Sequence, residues 1–476
     1  MSMIPFNKTK IVATIGPASN SKAVLKSLIQ SGTDVFRLNF SHGSYADHQK
    51  VIDNIRQLNE ELGTTVSMLQ DLQGPKIRVN EVAEDVVLKS GNEFIITTEE
   101  VLGNEKRAST SYKGIIHDVK GGDMVLIDDG KIELKIKEVQ GGDVICEVVH
   151  GGTLRSRKGI NLPQSNVSAP SMTEKDYEDL QFGIKNNMDW IALSFVRSAA
   201  DILELRSIIE KSQKEIRIIA KIEKPQAVEN IDEIIEVTDA VMVARGDLGV
   251  EILLEEVPIV QKKIVQKCIK AAKPVIIATQ MMESMIENPR PTRAETNDVA
   301  NAVLDGADAL MLSGETAVGA FPSEVIKSMV RTISSVERQS EKIYFQDHTP
   351  ASDSPLFYND TVIHTASQLA KTSNAKAITG MTQKGYTAFK ISSHRPKAHI
   401  FIFSENRIFL NAMNLIWGVR GIFYNKATST DETMKDIGNI LKEKGYIEKG
   451  DVFISTASMP IKEKGRANMV KINYVD

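Results

Sequence analysis

The chain has 476 residues, with 58 Lys and Arg against 62 Asp and Glu and a formal net charge of −4. That length supports two or three domains with full cores, and the charge balance argues against nucleic acid or an anionic membrane surface as the main partner. Only Cys146 and Cys268 occur, in no metal or redox spacing, which fits a reduced, cytoplasmic compartment. No stretch approaches membrane-span length, and Met1 to Lys8 carries no apolar leader region, so a soluble, unprocessed chain is expected.

Residues 11–16 (IVATIG) form a short apolar run and 21–31 carry apolar residues at helical spacing, which predicts a strand followed by a helix. The pattern repeats at 34–41 with 44–62, and begins again at 66–72, where no helix follows. Residues 76–163 read instead as short strands with Gly-Gly-Asp turns at 121–123 and 141–143, an inserted β-rich domain. The alternation then resumes with helix 174–186, strand 190–196, helix 198–212, strand 216–223, helix 226–237 and strand 240–248. Helix 255–272, strand 274–281, helix 294–305, strand 309–316 and helix 322–339 complete it. Eight mostly continuous apolar strands, each followed by a helix once the insertion is set aside, predict a closed parallel (β/α)8 barrel of the TIM type.

Residues 343–357 lose periodicity and read as a linker. A helix at 358–372 and strands at 375–381, 398–403, 421–424, 451–457 and 468–475 then predict an open, doubly wound α/β domain. The expected organisation is a barrel from 1–72 and 169–342, a β-barrel-like lid at 73–168, the linker at 343–357 and a C-terminal α/β regulatory domain at 358–476.

In such a barrel chemistry gathers at the carboxyl ends of the strands, where the loops of all units converge. Those ends carry Arg37, Asn39, Ser41 and His42; Asp71; Ser194 and Arg197; Lys221 and Glu223; Arg245, Gly246 and Asp247; Thr279 and Gln280; Ser313 and Glu315. Structural polar residues would scatter, whereas nearly every strand here ends in one. Side chains two apart share a strand face, so Lys221 and Glu223 project together, either as an internal ion pair or as part of a site. Glu223 and Asp247 close adjacent strands and suit one hard cation such as Mg²⁺, with water or substrate completing its shell. Lys221 and Arg37 then face an anionic substrate, and the Arg245-Gly246-Asp247 turn leading into a helix suits a phosphate or carboxylate. Proton donation falls to Thr279 or a water. His42 is a further candidate base, although a lone histidine is more often a phosphate contact. These parts point to metal-assisted chemistry on a small phosphorylated acid.

The segments KTKIVATIGPAS, RLNFSHG, LQGPKIR, GGTLRSRKGINLP, AKIEKP, ARGDLGVE, ATQMMESM and NPRPTRAETNDVANAVLDGADALMLSGETA follow one another along the chain. With them the chain resembles the pyruvate kinase family over its whole length. The resemblance implies glycolytic phosphoryl transfer from phosphoenolpyruvate to ADP, giving pyruvate and ATP. It implies that Lys221 stabilises charge on the transferred group and the enolate, that Arg37 binds phosphate, and that Glu223 and Asp247 hold Mg²⁺ or Mn²⁺. Gly246, the amide of Asp247 and Thr279 match the substrate-carboxylate pocket, with Thr279 on the route that protonates the enolate. Asn39, His42, Arg78 and Lys158 match nucleotide contacts. Potassium-dependent members usually read Asp-Thr-Lys-Gly-Pro-Glu where this chain has Asp71-Leu72-Gln73-Gly74-Pro75-Lys76. In the monovalent-cation region of Asn39, Ser41 and Asp71, Lys76 is therefore expected to stand in for potassium.

The resemblance also implies a phosphorylated effector in the C-terminal domain, a sugar phosphate or a nucleotide, and a homotetramer. The residues concerned are Thr382, Lys384, Gly385, Thr387, Lys464 and Arg466, although Lys384 and Tyr386 depart from the usual loop and a charge run is commonly a solvated face. Two other readings are a divalent-metal lyase or aldolase acting on pyruvate and an inactive metabolite-sensing scaffold. The first does not explain a lid carrying Arg155, Arg157 and Lys158, and the second requires missing catalytic positions that are all present.

Overall fold

The computed structural model describes residues 4–163, 165, 167–382, 384–426, 429–459 and 466–476. Its first strand, β1 (Lys10–Ile15), leads into helix Lys22–Ser31, started by Ser21, whose side chain accepts from the Val24 amide, and ended at Gly32 with φ +117°. That pairing of a hydroxyl N-cap with a left-handed glycine gives both ends of the helix partners for their free backbone groups. β2 (Val35–Asn39), β3 (Ser67–Asp71), β4 (Trp190–Leu193), β5 (Arg217–Ile222), β6 (Ala240–Ala244), β7 (Val275–Ala278) and β8 (Ala309–Leu312) complete a closed barrel in the order β1-β8-β7-β6-β5-β4-β3-β2. Every pairing in it is parallel.

Alternation along the strands sorts the core into two layers. On β5, Ile218, Ala220 and Ile222 belong to the outer apolar layer shared with the helices. Ile219 belongs to the inner layer with Val12, Leu69, Trp190, Met242 and Ile276. Arg217, Ile219 and Lys221 therefore share the inner face, from the floor of the barrel to its mouth.

Between β3 and β4 the chain leaves the barrel to form the inserted domain expected as a lid, a six-stranded sheet in the order Ile160–Asn161, Met124–Ile127, Ile132–Gln140, Asp143–His150, Glu93–Thr97, Arg107–Ser109. It has its own apolar core around Phe94, Val125, Leu134 and Cys146. Gly74, at φ +70°, lies on the segment leading from β3 into the insertion, and its amide is held by Asp176 Oδ1 at 3.0 Å.

The C-terminal domain carries a five-stranded sheet in the order Val419–Phe423, His399–Ser404, Ala377–Met381, Val452–Ala457, Met469–Tyr474, antiparallel only at its last pair. It closes the floor of the barrel. The Trp190 indole donates to the Ala412 carbonyl at 3.1 Å, and the barrel's inner layer runs continuously into Leu415, Ile416 and Ile400. Arg395 forks onto Asp308 with contacts of 3.1 and 3.0 Å, both residues buried. Lys8 and Lys10 donate to the carbonyls of Ala398 and Val419 at 2.9 and 2.8 Å.

Several elements differ from the sequence reading at their ends. The strands expected at 190–196, 240–248, 274–281 and 309–316 stop at Leu193, Ala244, Ala278 and Leu312. The chain turns sharply after each, through left-handed Phe195 (φ +54°), Thr279 (+74°) and Gln280 (+54°), or into the short helices Arg245–Glu251 and Gly314–Ala317. The helix expected at 226–237 is two, Pro225–Glu229 and Ile231–Val237, broken at Asn230, whose side chain donates to the Arg197 carbonyl at 3.0 Å.

Candidate active site

β2, β3 and β5 end in Arg37, Asp71 and Lys221, and the barrel's closure brings these side chains into one chain of charge. Arg37 Nε lies 2.7 Å from Asp71 Oδ2, and Lys221 Nζ lies 3.1 Å from both Asp71 Oδ1 and Glu223 Oε1. Lys221 is 9% exposed, and Asp71 and Glu223 are 1% exposed. Burial by itself drives the Lys221 ammonium toward neutrality, but Asp71 and Glu223 outweigh it and hold the group above the ordinary lysine value. Burial also works against the Asp71 carboxylate, yet Lys221 and Arg37 keep it below the usual range.

Glu223 behaves differently. Burial pushes its carboxyl up; Lys221 opposes this and the like charge of Asp247 adds to it. Its other oxygen, Oε2, accepts from the Phe195 amide at 2.7 Å. Asp247, in helix Arg245–Glu251, meets Lys76 Nζ at 3.1 Å. Next to it the Gly246 amide donates to Thr279 Oγ1 at 2.8 Å, and that hydroxyl donates to the Ala278 carbonyl at 2.5 Å. Thr279 is β-branched and left-handed, a costly backbone state that the surrounding hydrogen bonds enforce.

Two contributors were not assigned roles by sequence reasoning. Ser194 Oγ accepts from Lys221 Nζ at 2.6 Å while donating to the Leu72 carbonyl at 2.7 Å, which fixes the ammonium's direction. Thr14, a polar residue inside the apolar run of β1, accepts from Arg37 at 3.0 Å. The only sequence signal for Thr14 was that interruption of the apolar run.

Other strand-end residues turn away from the cleft. Arg245 forks onto Asp298 at 2.9 and 2.8 Å and donates to the Thr279 carbonyl. Glu315 is buried and accepts from the amides of Met282 and Ser313. Arg197 donates to the Val167 carbonyl at 2.6 Å. These three brace loops.

Asn39 Oδ1 accepts from the Ser41 amide at 3.1 Å, and His42 is exposed above β2. Lys76 was expected beside Asn39, Ser41 and Asp71; here its ammonium pairs with Asp247, across the hinge. On the lid, Arg78 donates to the Arg157 carbonyl at 3.1 Å and Lys158 pairs with Asp128 at 2.8 Å. In the C-terminal domain Thr382 Oγ1 accepts from the Gly385 amide at 3.1 Å, Thr387 is buried, and Arg466 donates to the Pro355 carbonyl at 3.4 Å. The Lys384 carbonyl accepts from Arg217 at 3.2 Å. Lys464 lies outside the described residues.

A closed parallel barrel whose strand ends gather a buried lysine, an arginine and acidic side chains, with a β domain inserted beside them, defines a barrel-mouth enzyme site built for charge neutralisation. Two family descriptions match the chain, "Pyruvate kinase, barrel domain" over residues 6–326 and "Pyruvate kinase, alpha/beta domain" over residues 360–473. The pyruvate kinase of Staphylococcus epidermidis is 44% identical over 474 residues, 98% of this chain and 80% of that protein. The pyruvate kinase of Staphylococcus aureus matches to the same extent, 44% over 98% of this chain and 80% of its own length. The crystal structure of a pyruvate kinase from Cryptosporidium parvum superposes with a TM-score of 0.92 at 36% identity, covering 99% of this chain and 96% of that one. The chain belongs to the pyruvate kinase family.

Proposed function

We propose that this chain transfers the phosphoryl group of phosphoenolpyruvate to ADP, giving pyruvate and ATP. The observation that carries the reading is the buried Lys221 ammonium, kept charged between Asp71 and Glu223 at the mouth of the barrel. Phosphoryl transfer asks a protein for positioning and charge neutralisation more than for covalent chemistry. Arg37 and Lys221 serve the phosphoryl oxygens. The amides of Gly246 and Asp247, with Thr279, receive the substrate carboxylate. As the bond from phosphorus to the enol oxygen breaks and an oxygen of the ADP β-phosphate bonds to phosphorus, Lys221 offsets charge on the enolate. A proton delivered to carbon by way of Thr279 completes pyruvate.

Glu223 and Asp247 fit Mg²⁺ or Mn²⁺. Their donors are all oxygen; burial raises the Glu223 carboxyl and the like charge of Asp247 adds to it, a charge that a hard cation held by both would offset. A hard cation held by two carboxylates would take its remaining ligands from substrate and water. Such an ion neutralises phosphoryl charge as a Lewis acid. Asn39, His42, Arg78 and Lys158 are the nucleotide contacts in this reading.

Lys76 makes the enzyme potassium-independent. Its ammonium already lies in the cleft, on Asp247, and Leu72 offers no hydroxyl to a monovalent ion. Initial rates in buffer free of sodium and potassium should change less than about twofold when potassium chloride is added, and a rise of roughly tenfold would overturn this. The loop at Thr382, Lys384, Gly385 and Thr387, with Lys464 and Arg466, is read as the place of a phosphorylated effector. The contact of Lys384 with Arg217, at the foot of the strand that carries Lys221, supports regulation from there. A cytoplasmic homotetramer completes the reading; among the described residues no helix is long and apolar enough to cross a membrane.

A coupled assay with and without ADP, the divalent ion and a panel of sugar phosphates and AMP tests the whole. Pyruvate formation should require ADP. Pyruvate released at the same rate without ADP would favour a lyase instead.

A further inference from the structure

Helix Arg245–Glu251 carries two carboxylates one turn apart, Asp247 and Glu251, and side chains four apart lie on the same helix face. Each is gripped from the lid side. Lys76, in the hinge just beyond Gly74, reaches Asp247 at 3.1 Å. Asn161, on the lid strand Ile160–Asn161, donates its Nδ2–H to Glu251 Oε1 at 2.8 Å. The same oxygen accepts from Lys224 Nζ at 2.5 Å.

Asn161 and Glu251 are 6% and 3% exposed, so their bond is shielded from water. Breaking it leaves buried polar groups unsatisfied. Among the described residues Glu251 Oε2 has no partner, and the contacts that hold this carboxylate run through Oε1. A buried, half-satisfied carboxylate is costly, and the phosphoryl-transfer steps above do not use it. Beside the bond lies a small cleft lined among others by Pro75, Lys76, Ile160, Asn161 and Lys224.

We propose that Glu251 is a positioning residue that fastens the lid, through Asn161, to the helix presenting Gly246 and Asp247, so that lid closure and the shape of the substrate cradle are one movement. The kinetic arm of its test rests on the reading that the lid carries nucleotide contacts; the exchange arm does not. In metal-free and nucleotide-free protein, Asn161→Ala should raise amide exchange by about tenfold in both segments, 160–163 and 245–251. Glu251→Gln keeps an Oε1 that accepts from Asn161 and should exchange as the unaltered protein does, whereas Glu251→Ala should behave like Asn161→Ala. Should Glu251→Ala lose its melting transition, Asn161→Ala and Glu251→Gln decide the matter.

In turnover, Asn161→Ala should raise KM for ADP about fivefold with kcat within about twofold. The double variant with Glu251→Ala should be no worse than the single variants, the mark of two partners acting through one bond. Faster exchange confined to the lid strand, additive losses in the double variant, or Glu251→Gln as impaired as Glu251→Ala would overturn the proposal. Coupled exchange with an unchanged KM for ADP would uphold the fastening and overturn the assignment of nucleotide contacts to the lid.

Discussion

Taking away the Lys221 ammonium would leave Asp71 with Arg37 as partner but Glu223, among the described residues, with only the Phe195 amide. That separates two effects that are often confused. An unpaired buried charge destabilises by about 3–5 kcal/mol, while loss of a cation aimed at developing charge acts on the transition state. Lys221→Ala should therefore melt at a lower temperature with its circular dichroism spectrum intact, and its kcat should fall by about a thousandfold or more. A variant within about tenfold of normal turnover would return Lys221 to the role of an internal ion pair. Ser194→Ala tests the same point more gently. It removes the 2.6 Å acceptor that aims Lys221, so kcat should fall by about tenfold with little change in KM for either substrate.

At the scale of elements, the junctions that carry chemistry are where the barrel strands stop. The turns that follow β4 and β7 hold non-glycine residues of positive φ, Phe195, Thr279 and Gln280, and each turn places a group in the site. Phe195 presents its amide to Glu223, and Thr279 presents its hydroxyl to Gly246. Thr279→Val keeps the branched shape and the strain but removes the hydroxyl, so the Gly246 amide loses its acceptor. kcat should fall by about tenfold or more, whereas Thr279→Ser should stay within about threefold. Equal losses in the two would mean that backbone shape, rather than the hydroxyl, is what the position supplies. These same junctions explain what was legible in the sequence. Two-residue and 3.6-residue periodicities report burial, so eight strands, their helices, the inserted lid and the C-terminal sheet could all be read. Periodicity is silent on a turn made by phenylalanine or threonine, so the strands ran too long into 195, 245, 279 and 314. Lys221 and Glu223 could be placed together because both follow the pleat of one strand. Arg245, Glu315 and Arg197 looked equivalent to them, since only tertiary partners such as Asp298 and the Val167 carbonyl draw those side chains away. Lys76 could be recognised as an unusual cation, but its partner Asp247 is 171 residues away and depends on where the hinge rests.

For the whole molecule, the seam between the barrel floor and the C-terminal domain is dense in buried cations and imidazoles, and this makes it acid-sensitive. Burial pushes His399 down to about 3, and Lys8, Arg420 and Lys10 push the same way. Burial pushes His394 down to about 4, aided by His364, His348 and Lys390 and opposed by the bond to the Gln346 backbone. His394 precedes Arg395, which anchors on Asp308, and His399 begins a central strand of the C-terminal sheet beside Lys8. The sign follows from linkage. An imidazole depressed in the folded state stays neutral there while the unfolded chain takes up its proton near pH 6.5, so stability present above that pH is lost as pH falls toward the folded value. Two such groups remove up to about 2.7 kcal/mol per pH unit between roughly pH 6 and pH 4. Asp189, pushed up to about 7 by burial against the bond from the Met68 amide, acts in the opposite sense, its contribution being present at low pH and lost as pH rises through 7. The net curve therefore mixes both signs, and a difference between proteins is needed to isolate the seam. Urea unfolding of the unaltered chain and of the His394→Gln, His399→Gln double variant at pH 7.0 and about pH 5.0 supplies it. The unaltered protein should lose more stability on acidification than the variant, by about 2 kcal/mol or more. Parallel losses in the two proteins would show that the imidazoles titrate freely and that the floor of the barrel holds its partner domain without them.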